Sequence, residues 1–167
     1  MLKKILLAVA VAAPMFMSAQ AVKFGVINPQ EIVNVMPDYA TAQNTIKTVS
    51  DKYQTQAKAL QDEYDKKMQE YQDLTKAKAT EAQLEAKGKE IQDIQTRFQN
   101  FQQTAQSDLQ KQQETLMAPI EQKLNNAIQS VGAKGGYTAI FMEGALMYKG
   151  SNLEVVSAKV KAELGIK

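Results

Sequence analysis

Hydrophobic positions along this chain follow more than one rhythm. From Val22 to Ile27 they alternate, with Val22, Phe24 and Val26 on one face against Lys23 and Gly25 on the other, which is the spacing of a strand. The next run, PQEIVNVM, can close a short helical turn before Pro37 breaks it. Asp38 then stands where an N-cap would open a longer helix.

Between about residues 39 and 77 the rhythm changes to threes, fours and sevens: Ile46, Val49, Tyr53, Leu60, Tyr64, Met68, Tyr71 and Leu74 make one narrow helical stripe. A second stripe runs from Leu84 through Ile91, Ile94, Phe98, Phe101, Ala105, Leu109, Leu116, Ile120, Leu124 and Ile128 to Val131. Between them KAKATEAQ lacks large apolar residues, and Thr80 with Gln83 fits the capping box that starts a new helix. The pattern predicts a helical hairpin over 38–131 that turns near 77–81. Arms of roughly 40 to 50 residues would be about 60 to 75 Å long. A stripe one or two residues wide can be covered by a single partner helix, as in a coiled coil, but cannot build a globular core. The hairpin should therefore project into solvent.

The second arm is expected to end at Gly132 as its C′ glycine, with Gly135 and Gly136 in a turn. YTAIFME is apolar on both faces, Tyr137, Ala139 and Phe141 against Ile140 and Met142, which suits a central strand. Gly144 permits a tight turn into ALMYK, with Leu146 back among the apolar positions, so 137–149 reads as a hairpin paired with VKFGVIN. Ser151 with Glu154 fits a further capping box for a final helix lined by Leu153, Val156, Val160 and Leu164. The two ends, 22–37 and 132–167, would then form one small body carrying the arms. The fold class is α+β, mostly α. So small a body is marginal alone, and oligomerisation would remedy that.

The first residues change the picture of where this happens. MLKK, the apolar run ILLAVAVAAPMFM and SAQA follow the order of a secretory signal, with Ala19 and Ala21 at the small-residue positions and cleavage expected after Ala21. Residues 5–17 are too few to span a bilayer, and no second apolar run follows to support a membrane anchor. Without cysteine there is no disulfide, lipidated cysteine or thiolate metal site, which leaves a soluble exported protein, most simply periplasmic. Two of the 20 basic residues, Lys3 and Lys4, fall within the signal, leaving 18 against 18 acidic residues and no net charge. Binding to nucleic acid or another polyanion through charge alone is not supported.

Catalytic chemistry is thinly represented. Histidine, cysteine and tryptophan are absent, which removes the commonest general base, the thiol nucleophile and most zinc chemistry. Asp62 and Glu63 lie beside Lys66 and Lys67 on a polar helical surface, the arrangement of solvated i,i+4 pairs. GAKGG lacks the G-K-[ST] ending of a phosphate loop and precedes a strand. No catalytic, cofactor-binding or metal residue is therefore assigned. Tyr53, Tyr64, Tyr71, Phe98 and Phe101 could bind clients or form the seam between the arms, and their positions favour the seam.

Taken together, the signal, VKFGVINPQEIVNVMPDY, the long hairpin and YTAIFMEGALMYKGSNLEVVSAKVKAEL resemble the Skp/OmpH family of periplasmic chaperones over the whole mature sequence. The resemblance implies a homotrimer in which the end segments of three chains build a β-rich body. Three helical hairpins hang from it around a cavity that holds unfolded outer-membrane proteins without ATP. On this reading Val22, Phe24, Val26, Tyr137, Ala139, Ile140, Phe141, Met142 and Leu146 belong to the trimerisation body. Skp-like chaperones are typically strongly basic at the tentacle tips. Here Leu74–Glu90 carries four lysines against three glutamates, so contact with membrane lipid or lipopolysaccharide stays open. The competing reading is an exported coiled-coil spacer or adaptor that binds one folded envelope partner. Pro119, within TLMAPIEQKLNNAI, should bend the second arm without ending it, close to the level where the first arm starts, and is the candidate hinge.

Overall fold

A computed structural model describes residues 22–166, so the signal segment and its cleavage positions Ala19 and Ala21 lie outside the described residues. The element order is β1 (Phe24–Ile27), α1 (Pro29–Val33), α2 (Pro37–Lys76), α3 (Glu81–Gly135), β2 (Ala139–Met142), a 3-10 turn (Glu143–Ala145), β3 (Glu154–Val155) and α4 (Ser157–Glu163). Two long helices dominate, and the short elements gather at one end of them.

The hairpin follows the sequence pattern closely. Every residue of both apolar stripes is buried or half-buried, while most positions between them are exposed. At the turn, the Thr80 side chain accepts from the Gln83 amide and the Gln83 side chain accepts from the Thr80 amide, the two halves of the capping box. Helix α2 starts differently from expectation. Pro37 occupies its first turn, where a missing N–H costs nothing, Met36 is the capping residue, and Asp38 falls inside the helix.

The end of α3 is a second correction. The helix runs past Gly132 to Gly135, and Gly136, at φ +65°, supplies the left-handed cap. Gly132 therefore sits within the helix, where a Cβ would stand 3.6 Å from Ile140 Cδ1, an ordinary contact distance.

The sheet has the order β2-β1-β3, and both pairings are parallel. Phe24 to Ile27 pair with Ala139 to Met142, so the pairing of 137–149 with the first strand is present, but β1 is central and β2 is an edge. ALMYK forms no strand with β2. After the 3-10 turn the chain runs without regular structure until Glu154 and Val155 pair with Gly25 and Val26, and Val156 donates to the Val26 carbonyl at 2.9 Å. The expected capping box at Ser151 and Glu154 is therefore not formed, since its glutamate belongs to a strand. Pairing with β1 overrides the local helix signal, and α4 begins only at Ser157. Leu153 lies in the preceding loop, and Val156 and Val160 are the residues through which this segment enters the core.

One core cluster joins the ends of the chain. Ile27, Ile32, Val33 and Met36 meet Ile120, Leu124, Ala127 and Val131 of α3, with Val156 and Val160 closing the other side. Gly25 suits this packing, because a Cβ would lie 3.0 Å from Val156 Cγ1 and 3.2 Å from Ile140 Cγ1, close enough that these side chains would have to shift.

Candidate functional site

The residues expected to form an assembly surface divide by the alternation of the strands. Gly25, Ile27 and Ile140 face the helices, whereas Phe24, Val26, Ala139 and Phe141 lie on the other side of the sheet. On that side the Phe24 and Phe141 rings are 5.9 Å apart, Val26 is only 1% exposed, and Phe141 is 40% exposed. Val22, Met142 and Val155 are exposed as well, and Leu146 is half-buried. Beyond β2 the chain displays Met147 and Tyr148, the latter 84% exposed. Edge strand β2, this segment and the half-covered sheet face together present apolar groups and unpaired backbone to solvent.

Tyr137 bridges this surface and a charged cluster that the sequence pattern did not reveal. Lys159 donates to its hydroxyl at 3.0 Å, and the Lys23 ammonium sits 4.2 Å above its ring. Glu154 lies between the two lysines, 2.5 Å from Lys159 and 3.1 Å from Lys23. Hydrogen bonding from Lys159, then from Tyr137 and Lys23, holds the Glu154 carboxyl down at about 2. The same contact with Glu154 raises Lys159 to about 12. The cluster ties β1, the approach to β2, β3 and α4 together. Its only trace in the sequence is a glutamate in a β-branched run, which looked like a helix cap.

Along the arms the seam is apolar but pinned by polar pairs. Tyr53 donates to Asp108 at 2.7 Å and stacks edge-on to Phe101 at 5.8 Å. Arg97 pairs with Glu63 at 3.2 Å. Nearer the turn, Lys67 and Lys87 share Glu70 and Glu90, with the closest contact, Lys67 to Glu90, at 2.7 Å. Lys67 and then Lys87 hold Glu90 down at about 2, and Glu90 and Glu70 raise Lys87 well above the ordinary lysine range. Tyr53, Tyr64, Tyr71, Phe98 and Phe101 are all half-buried along this seam. Between Leu60, Tyr64, Ile94 and Phe98 it opens into a groove of about 350 Å³ rimmed by Gln61, Gln95 and Gln99.

Pro119 lies inside an unbroken α3. One turn further on, Lys123 pairs with Asp38 at 2.6 Å, so the proline stands at the level where the first arm begins. A shallow groove of about 380 Å³ is lined there by Thr41, Ala42, Leu116 and Pro119. Among the described residues no acidic, histidine or cysteine cluster is placed to hold a metal ion, and no helix is long and apolar enough to cross a membrane.

A three-stranded body at the base of a long antiparallel helical hairpin is thus the class of structure defined. The chain belongs to the OmpH-like outer membrane protein family, whose model matches residues 23–164. It is similar in fold to a crystal structure from Caulobacter crescentus of an OmpH-like protein described as a candidate outer membrane chaperone. The TM-score is 0.73 at 16% identity, over 86% of this chain and 83% of that one. No curated protein matches it.

Proposed function

We propose that this protein is an ATP-independent periplasmic holdase, cleaved after Ala21, that keeps unfolded outer-membrane and other envelope proteins from aggregating during outer membrane protein assembly. Membership of the OmpH-like family and a neighbour described as a candidate chaperone support a chaperone role. The observation that carries the finer reading is the contrast between one end and the rest. A small body exposes an edge strand, Met142 and Tyr148, while two arms about 60 to 80 Å long extend from it. Self-association of three such bodies would cover the apolar groups and surround a space with six helices. Apolar contacts inside that space need no nucleotide.

Light scattering tests the proposal. The mature chain, without nucleotide, should suppress aggregation of several unrelated β-barrel proteins diluted from denaturant. Because the mature chain has no net charge, suppression should persist from low to physiological salt, where the screening length is about 8 Å. Failure with all of them, together with tight binding of one folded envelope protein, would replace the holdase by the adaptor.

A further inference from the structure

The two flanks of the α3 seam are chemically different. Immediately before the seam residues Ile91, Ile94, Phe98, Phe101, Ala105 and Leu109 stand Glu90, Asp93, Arg97, Asn100, Thr104 and Asp108. Three of these fasten the arms: Glu90 to Lys67, Arg97 to Glu63 and Asp108 to Tyr53. Immediately after the same seam residues stand Gln92, Gln95, Gln99, Gln102, Gln106 and Gln110, all exposed, and Gln113 continues the row. This flank carries no charge for about 30 Å. Gln95 donates to Tyr64 and Gln110 to Glu114, whereas the side chains of Gln92, Gln99, Gln102 and Gln106 make no intramolecular hydrogen bond among the described residues.

We infer that this glutamine row is a contact track for the extended backbone of an unfolded polypeptide. The inference rests on the holdase reading. A glutamine side chain carries one carbonyl acceptor and two N–H donors, the same groups that a peptide unit presents, so it can bond any backbone without reading its side chains. Most charged groups of the opposite flank are engaged across the seam, whereas most amides of this row are left open to an outside partner. The row also borders the groove between Tyr64 and Phe98, rimmed by Gln95 and Gln99, where an apolar side chain of the same strand can enter.

Spacing sets how firmly the track holds. Glutamines alternating three and four positions apart rise about 5.3 Å per step on a helix. An extended chain presents the same edge about every 6.7 Å. The two repeats fall out of step, so a bound strand meets some of the amides at any moment and exchanges among them. Contact is then general and weak per site, and the strand is released when it finds a better partner.

The test uses the full mature chain and two peptides of about ten residues with alternating apolar side chains. They are identical except that one is N-methylated at alternate positions, which removes backbone donors from one edge. The parent should bind the unmodified peptide about tenfold more tightly, equivalent to 1.4 kcal/mol. Replacing Gln92, Gln99, Gln102 and Gln106 by Ala should abolish that preference while leaving helicity and sedimentation unchanged. The same replacement at Gln43, Gln56, Gln122 and Gln129, off the row, should preserve it. Equal binding of both peptides by the parent overturns the track but leaves the holdase reading intact. Binding of neither peptide also overturns the track, and the aggregation assay decides the holdase reading separately. A change in sedimentation of the row variant would make the row a contact between copies of the chain, and also overturns the inference.

Discussion

The body and the arms of this molecule are stabilised in different ways. At the body end Ile27, Ile32, Met36, Leu124, Val156 and Val160 are nearly inaccessible to solvent and belong to one cluster. In the arms between about residues 43 and 118, Ile91, Ile94 and Ala105 are the buried residues, and the rest of the seam is half-covered. Polar pairs such as Tyr53 with Asp108 and Lys67 with Glu90 fix which turn of α2 meets which turn of α3. A region with few buried apolar contacts opens locally at low cost, whereas a packed cluster opens only globally. The difference assigns cohesion to the body and adaptability to the arms.

The most severe way to break this comparison is to separate the two regions. A chain limited to residues 39–131 keeps the hairpin but lacks the sheet and both end segments. In sedimentation it should lose the trimer proposed for the full chain. A hairpin that remains trimeric would move the assembly surface from body to arm.

A second test compares truncations. Ile32→Ala removes a fully buried side chain from the core cluster and should cost about 2 to 5 kcal/mol in chemical denaturation. Leu60→Ala acts on a half-buried seam position beside a groove already open to solvent, and should cost about 1 to 2 kcal/mol, below the buried range. Equal costs would erase the distinction.

The boundary itself is accessible through Pro119. Its ring crowds the Thr115 carbonyl and its missing N–H leaves that carbonyl unpaired within the helix. Pro119→Ala should therefore preserve the proposed trimer and raise stability by about 1 to 3 kcal/mol. If the proline is a hinge, distances between labels at the three tips should narrow in the variant. An unchanged spread would reduce Pro119 to a static bend.

Acid titration offers the smallest effect and the finest comparison, because each region holds one glutamate at about 2: Glu154 in the body and Glu90 in the arm. Both sit below the ordinary value of 4.5, so each contributes stability that is present above that value and lost as pH falls through about 2. Between pH 4.5 and 2 the thermal midpoint of the parent should fall, and Glu154→Gln should flatten that fall. Glu90→Gln should flatten it less in the global transition, since the arm opens locally, and should show instead in amide exchange near the turn.

Elements that depend on their immediate neighbours were legible in the sequence. The two stripes predicted the hairpin because one partner helix suffices to cover each, and the Thr80–Gln83 box marked the turn because its bonds are local. Elements that depend on distant partners were legible only in part: the pairing of β2 with β1 followed from their apolar patterns, but the second pairing of β1 did not. Glu154 and Val155 form a strand only because β1 offers them an edge, more than 120 residues away in sequence. Gly132 looked like a helix stop, but the helix continues to Gly135 and the left-handed cap falls on Gly136, a choice among neighbouring glycines that the local sequence does not make. Of the candidate assembly residues, Ile140 packs against the core cluster and Val26 is covered on the other face of the central strand, whereas Val22, Phe141 and Met142 remain exposed outside that central strand.

The most direct test of the whole account is sedimentation of the mature chain mixed with one unfolded outer-membrane β-barrel protein in the absence of nucleotide. The account predicts a single soluble species containing three copies of this chain and one client. Free single chains sedimenting apart from aggregated client would contradict it.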